Sequence, residues 1–203
     1  MKKTILYKTL FFCWAILALT GCDLDLQKNY DYEASIDDPH VNVTAWEYFQ
    51  DHQDVFSEFT TAIEYTGLKD YYTQTENKYT YLALNNTAMQ SYRENAFPGI
   101  ASITDCDKET VKNMLLYHIV DGEYSSYGQL QVEAMFVLTM LPGEKGLMTM
   151  SVWKNPWQAA VGKILVNETG SNGKSPQRNA KTSNILPTNG VIHIFEKYCY
   201  YQK

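Results

Sequence analysis

Four histidines and four cysteines are the residues of this chain most able to do chemistry, and their spacing decides little in chemistry's favour. His40, His52, His118 and His193 show no His-x-x-x-His pattern, and no Cys-x-x-Cys occurs, so no metal shell can be assembled from local motifs. The two acids of "SIDDPH" do not make a calcium loop. The sequence has no Gly-rich phosphate cradle, Gly-x-Ser-x-Gly elbow or Ser-Asp-Lys set. No metal and no cofactor are expected. Paired carboxylates for glycoside cleavage are defined by separation in space, so one sequence leaves an envelope enzyme of that kind open. His193 stands in the apolar run "VIHIF". A buried neutral imidazole offers one donor and one acceptor, and burial lowers its pKa. With no nucleophile or second titrating group signalled beside it, His193 is expected to hold the fold together. His118 falls on one helical stripe with Val111, Met114 and Leu115, which places it in the core.

Binding chemistry is better signalled. The chain has sixteen tyrosines and four tryptophans in 203 residues. "SVWKNPWQ" sets Trp153 and Trp157 around an Asn-Pro turn; with Tyr124 and Tyr127 they form a candidate binding surface. Exposed rings there would stack on sugar faces or fill a protein hot spot. The competing reading is a packed turn, since Trp is mostly buried in folded domains. The net charge of −6 and the lack of any basic run argue against nucleic acid as a partner.

The elements that must position these residues can be read in order. Thr44 and Glu47 form a capping box that starts a helix with Trp46 and Phe49 facing inward. Val55, Phe56, Phe59, Ala62 and Ile63 continue at helical spacing, and Gly67 is the expected stop. "KYTYLALN" reads as a strand and "DKETVKNMLLYHIV" as a helix. Past Gly122 two β-rich runs flank "PGEKG", a hairpin signal. "GKILVN" and "GVIHIFEKYCYY" complete the strands, with Val191, His193 and Phe195 on one face of the last. Residues 167–187 are rich in Gly, Ser, Asn and Pro and read as an exposed loop, too polar to bury. Helices in the first half and strands in the second give an α+β domain.

The first 21 residues read as a secretory signal, with Lys2, Lys3 and Lys8 ahead of or within an apolar run and no acid before Asp23. Leu19-Thr20-Gly21-Cys22 resembles the lipobox of bacterial lipoproteins. That resemblance implies cleavage before Cys22 and a diacylglycerol on its thiol. Removing residues 1–21 takes away three lysines and no acid, so the charge falls from −6 to −9. Each methylene buried in a membrane contributes about 0.8 kcal/mol, so acyl chains would hold this acidic body without a spanning helix. Residues 22–42 read as a lipidated acidic tether ahead of a domain over 43–203. The acidic stretch also resembles surface-export signals of some diderm lipoproteins; a solvated tether is the alternative. With Cys13 in the signal and Cys22 lipidated, Cys106 and Cys199 remain as a candidate disulfide. Bridging needs Cα atoms within about 4.4–6.8 Å, which sequence does not supply.

Three segments together resemble the fasciclin domain family. They are "TYLALNNTAM" from Thr80, "LLYHIVDG" from Leu115, and "NGVIHIFEK" from Asn189. The first departs from the family pattern, with Leu84 for the usual proline, Asn85 for a hydroxyl residue and Met89 for Phe. The resemblance covers residues 43–201. It implies a wedge-shaped β-sandwich with a helical layer packed against it, and a fold-pinning motif at Tyr117, His118, Asn189, Gly190 and His193. In eukaryotic relatives the Tyr-His segment has been proposed to contact integrins. A bacterial lipoprotein has no integrin of its own, so a core role is expected. The resemblance further implies a non-enzymatic adhesion or interaction module that binds a protein or glycan partner. Its expected setting is the cell envelope, anchored in the outer membrane by its lipid and accessory to an uptake complex. A glycan-active enzyme and a structural subunit without a ligand are the alternatives.

Overall fold

The computed structural model describes residues 38–154 and 162–203, and Pro39–Lys203 form one body. The signal, Cys22, most of the tether and Trp157 lie outside the described residues. Residues 39–42, read as the end of the tether, are already part of this body: His40 bridges Leu186, and the Val41 amide donates to the Leu186 carbonyl at 2.9 Å.

Three helices open the domain: α1 (Ala45–Asp51), α2 (Gln53–Thr66) and α3 (Lys69–Thr73). The expected capping box starts α1, with the Thr44 amide donating to Glu47 Oε2 at 2.7 Å and the Glu47 amide to Thr44 Oγ1 at 3.3 Å. Gly67 ends α2 at φ +75°, a left-handed conformation that costs glycine nothing. The stripe read from the sequence is the buried one: Phe56, Phe59, Ala62 and Ile63 face inward. Strand β1 (Tyr79–Leu84) follows, then α4 (Asn86–Ala96), which the sequence reading missed. Asn85 caps α4 by accepting the Ala88 amide at 2.9 Å. Its side-chain oxygen thus satisfies one of the free amides at the start of the helix.

Helix α5 spans Lys108–Tyr117 and strand β2 spans Ile119–Asp121. The helical periodicity of the sequence ran on to Val120, but the helix stops earlier because His118 is its C-cap. There the His118 amide reaches back to the Leu115 carbonyl at 2.9 Å. The hairpin signalled by "PGEKG" is present as β3 (Met135–Leu138) and β4 (Leu147–Trp153), and β5 (Lys163–Val166) pairs beyond it. Strands β6 (Arg178–Asn179), β7 (Thr182–Ile185) and β8 (Gly190–Phe195) end the fold.

The strands form two four-stranded sheets, ordered β2-β1-β8-β7 and β3-β4-β5-β6. In the first, β1 and β8 are central and parallel, from Tyr79 opposite Gly190 to Leu84 opposite Phe195. Central parallel strands are covered on both faces and therefore read as continuous apolar runs. All of β1 is buried, and so is β8 except Ile194. The two sheets meet where Val120 bridges Thr139 and the Met140 amide donates to the Ile119 carbonyl at 2.8 Å. Helix α2 packs on α1, α4, α5 and β1. A run of rings joins that layer to the sheet. Phe49 meets Phe59 at 5.4 Å between centroids, Phe59 meets Tyr72 at 6.1 Å, and Tyr72 stacks on Tyr81 at 5.1 Å.

Residues 167–187 correct the expectation of an exposed loop. Asn167, Asn172, Ser175 and Asn184 within it are buried. Buried polar side chains are stable when their bonds are made, and these are. The outer face of β4 lies beneath this segment, with Thr149 Oγ1 at 2.5 Å from Ser171 Oγ and Ser151 donating to Glu168 at 3.2 Å. Asn167 Oδ1 accepts the Thr149 amide at 3.2 Å and the Asn172 amide group at 3.0 Å. Polarity signalled a hydrogen-bonded cover here.

Candidate functional site

Two groups of residues compete for a functional reading. One is the set of buried motif residues, the other an open aromatic groove.

His118 and His193 are both fully enclosed. His118 Nδ1 lies 2.8 Å from the Met114 carbonyl, and its Nε2 lies 2.9 Å from the Cys199 amide. A carbonyl only accepts and an amide only donates, so the proton sits on Nδ1. His193 uses the opposite tautomer: Nε2 donates to the Tyr124 carbonyl at 2.8 Å and Nδ1 accepts the Asn184 amide at 3.1 Å. Each ring is thus saturated by backbone partners. Burial lowers both pKa values to about 4, although the hydrogen bonds to carbonyls oppose that shift. His118 ties the end of α5 to the C-terminal segment. His193 ties β8 to β7 and to the loop after Gly122, and Asn184 binds that loop again through Ser126 at 3.0 Å and 2.7 Å. Neither ring is open to a substrate.

The remaining motif residues are joints as well. Asn189 Oδ1 accepts the Ala45 amide at 2.8 Å, and Nδ2 donates to the Tyr72 and Gln74 carbonyls at 2.9 Å and 3.1 Å. Gly190 follows at φ +149°, against the Tyr79 backbone. The Tyr117 hydroxyl donates to the Leu147 carbonyl at 3.3 Å and accepts from Asn167 at 3.0 Å, linking α5 to the second sheet. Cys106 and Cys199, the candidate disulfide, are free buried thiols, and burial raises Cys199 to about 12. A thiol so protonated is a poor nucleophile. Among the described residues no cluster of three or more His, Cys, Asp or Glu side chains is placed to hold a metal.

These imidazoles set the acid behaviour. Each has an ordinary pKa of 6.5 unfolded and about 4 folded. The unfolded chain therefore takes up protons first as the pH falls. The stabilisation is complete above about 6.5, is lost through the interval down to about 4, and is level below that. At about 1.36 kcal/mol per pKa unit the full loss is on the order of 3–3.5 kcal/mol per ring. Glu47, Asp107 and Glu144 are held below their ordinary values of 4.5, 3.8 and 4.5 by hydrogen bonds, so their contribution begins to go as the pH falls through those values, at the foot of the imidazole interval. Urea titrations at pH 7, 5.5 and 4 should show most of the decline between the first and the last. A flat profile would contradict neutral burial of both rings.

Of the expected aromatic surface, Trp157 lies outside the described residues, and Trp153, Tyr124 and Tyr127 line no common groove. Trp153, at the end of β4, is half exposed and lines a shallow groove with Lys163, Leu165, Gln177 and Asn179. Tyr124 and Tyr127 are not among its walls. Tyr124 is packed against the core, with its amide on Thr80 Oγ1 at 2.8 Å, while Tyr127 is exposed.

A different groove, of about 230 Å³, opens between α5 and the C-terminal tail. Its walls include Tyr92, Tyr117, Tyr198, Tyr200 and Tyr201. The apolar run predicts a last strand as far as Tyr201, but β8 ends at Phe195 and the tail continues outside the sheet. The tail is anchored: the Tyr198 carbonyl accepts from Arg178 at 3.0 Å, the Cys199 amide donates to His118, and the Gln202 amide donates to Ser175 at 2.9 Å. Tyr198 meets Tyr92 at 5.3 Å and 73°, and Tyr200 at 5.7 Å and 34°. The aromatic density of "KYCYY" was the available signal, hidden by its assignment to a strand.

With the fold and both groups of residues defined, the class is clear: an α+β domain of two sheets and a helical layer in which His118, His193 and Asn189 are internal joints. The chain belongs to the fasciclin domain family, whose model matches residues 54–199, more than half of its length. Its structure is similar to a FAS1 domain pair from the insect cell adhesion molecule fasciclin I, with a TM-score of 0.54 and 15% identity. That match covers 77% of this chain and 50% of the other. No helix among the described residues is long and apolar enough to cross a membrane.

Proposed function

We propose that this chain is a lipid-anchored protein of the cell envelope whose fasciclin domain acts as a non-enzymatic adhesion or interaction module. The signal and the lipobox-like Leu19-Thr20-Gly21-Cys22 support anchoring through Cys22. Family membership and the likeness to a domain pair from a cell adhesion molecule support adhesion over catalysis. One observation carries the reading furthest. The two enclosed histidines spend both ring nitrogens on backbone groups, while the large aromatic rings most exposed among the described residues are those of Tyr127, Phe136, Trp153 and Tyr200. Such a body contributes surface and rigidity, and the lipid contributes location and local concentration. The partner is a protein or glycan of the envelope or cell surface, and the setting is an outer-membrane assembly such as an uptake complex, where this domain is an accessory.

Fractionation with crosslinking tests this. The wild-type chain should partition with membranes, and Cys22→Ser should move it to the soluble fraction. Crosslinking on intact cells should trap the membrane-bound form on an envelope component. Retention of Cys22→Ser in the membrane, or turnover of glycans by the purified chain, would overturn the proposal.

A further inference from the structure

We propose that the tyrosine groove between α5 and the C-terminal tail binds a short acidic glycan segment, with one sugar ring on the Tyr198–Tyr200 platform and its anionic group at Lys145. This rests on reading the domain as an interaction module and adds the surface and the ligand class.

The platform is built before any ligand arrives. Tyr198 and Tyr200 are two residues apart on the C-terminal tail, and their rings make a shallow trough at 5.7 Å and 34°. Tyr92 braces Tyr198 edge-on at 5.3 Å. With the tail fixed at Tyr198, Cys199 and Gln202, binding would order few additional torsions, which limits its entropic cost.

The chemistry around the platform suits a sugar. A pyranose has an apolar C–H face and a rim of hydroxyls that both donate and accept, so it needs a ring beneath and mixed polar groups around it. Tyr92, Tyr117 and Tyr201 spend their hydroxyls on Thr110, Leu147 and Glu144. Those of Tyr198 and Tyr200 make no hydrogen bond among the described residues. Thr110 and Asn113 add exposed polar groups from α5.

Charge selects an anion. Lys145 is the sole charged side chain among the groove's walls, in a chain of net charge −6. The neighbouring Glu144 is occupied by the Tyr201 hydroxyl at 2.9 Å and Lys203 at 3.2 Å, so it does not neutralise Lys145.

Size and composition weigh against the other occupants. At about 230 Å³ the groove lies below the roughly 300–1,000 Å³ of drug-sized sites, as suits one ring and parts of its neighbours. A stable protein interface covers about 800 Å² per partner, of which this groove would be only the centre. Glycoside hydrolysis takes two carboxylates about 5–10 Å apart, and no Asp or Glu is among the walls. The groove holds a glycan without cutting it.

The test uses the full-length chain in detergent and a panel of uronate-, sialate- and sulfate-bearing oligosaccharides beside their neutral counterparts. Binding should favour an anionic member at least tenfold over its neutral counterpart. Tyr200→Ala should weaken it at least tenfold, and Lys145→Met should remove the anionic preference. Val132→Ala, at an exposed position outside the groove, should leave affinity unchanged. All three positions are exposed, so melting temperatures should stay at the wild-type value. Failure of every oligosaccharide to bind, equal binding of neutral forms, or indifference to Tyr200→Ala would overturn the proposal. Should glycans fail while intact-cell crosslinking still traps a protein through Tyr200, the glycan assignment falls and the interaction-module reading stands. If crosslinking traps nothing either, both fall.

Discussion

Gly190→Ala is expected to cost about 4 kcal/mol or more, a large part of the roughly 5–15 kcal/mol that holds a domain together. A Cβ built on Gly190 lies 1.9 Å from the Tyr79 carbonyl oxygen, 2.9 Å from its carbon and 3.0 Å from the Tyr79 nitrogen. These are backbone atoms of a central strand, so no side chain can rotate away. The residue also sits at φ +149°, where an L side chain is strained. Since Tyr79 and Gly190 form the first pair of the parallel β1–β8 ladder, relief requires parting the two central strands of the sheet. Equilibrium urea denaturation should show a much lower midpoint with an unchanged slope. A loss below about 1 kcal/mol would mean that the close approach is not what requires glycine there.

Asn189→Ala should be the next largest loss, about 3 kcal/mol. The side chain satisfies three backbone groups at the start of α1 and the end of α3: the Ala45 amide and the Tyr72 and Gln74 carbonyls. Truncation leaves each without its partner, at about 1–3 kcal/mol for a fully buried group. The Gln74 bond is only part-buried, so water recovers part of its share. Asn189→Asp keeps the acceptor but loses both donors and buries a charge, and it should destabilise at least as much as alanine. Hydrogen exchange should show α1 and α3 loosening before the second sheet. Uniform loosening of both sheets would contradict the idea that this side chain staples the helices to β8.

Periodicity and capping chemistry carried much of the fold. The Thr44–Glu47 box, the stripe of α2, the Gly67 stop and the "PGEKG" hairpin are local signals, and each appears where its chemistry places it. What local signals could not give is who pairs with whom. The parallel pairing of β1 and β8 joins segments more than a hundred residues apart. The buried asparagines of the 167–187 segment looked like loop residues because their partners, Tyr117, Thr149 and Ser126, lie far off in sequence. The tyrosine groove was out of reach of local signals for the same reason. Trp153 and Trp157 stand out in sequence because they flank an Asn-Pro turn, whereas the tyrosine groove takes Tyr92 from α4, Asn113 from α5, Lys145 from the β3–β4 turn and Tyr200 from the tail. Only the chain path brings those four together.

A rigid scaffold of this kind requires two imidazoles that are neutral, buried struts in opposite tautomers. Long-range nitrogen–proton NMR correlations on the labelled protein read this directly, ring by ring. At neutral pH His118 should carry its proton on Nδ1 and His193 on Nε2, and neither should titrate until the pH approaches about 4. A ring that titrates near its ordinary 6.5, or exchanges between tautomers, would be open to solvent and available for chemistry, and would contradict the reading of this domain as a rigid binding scaffold.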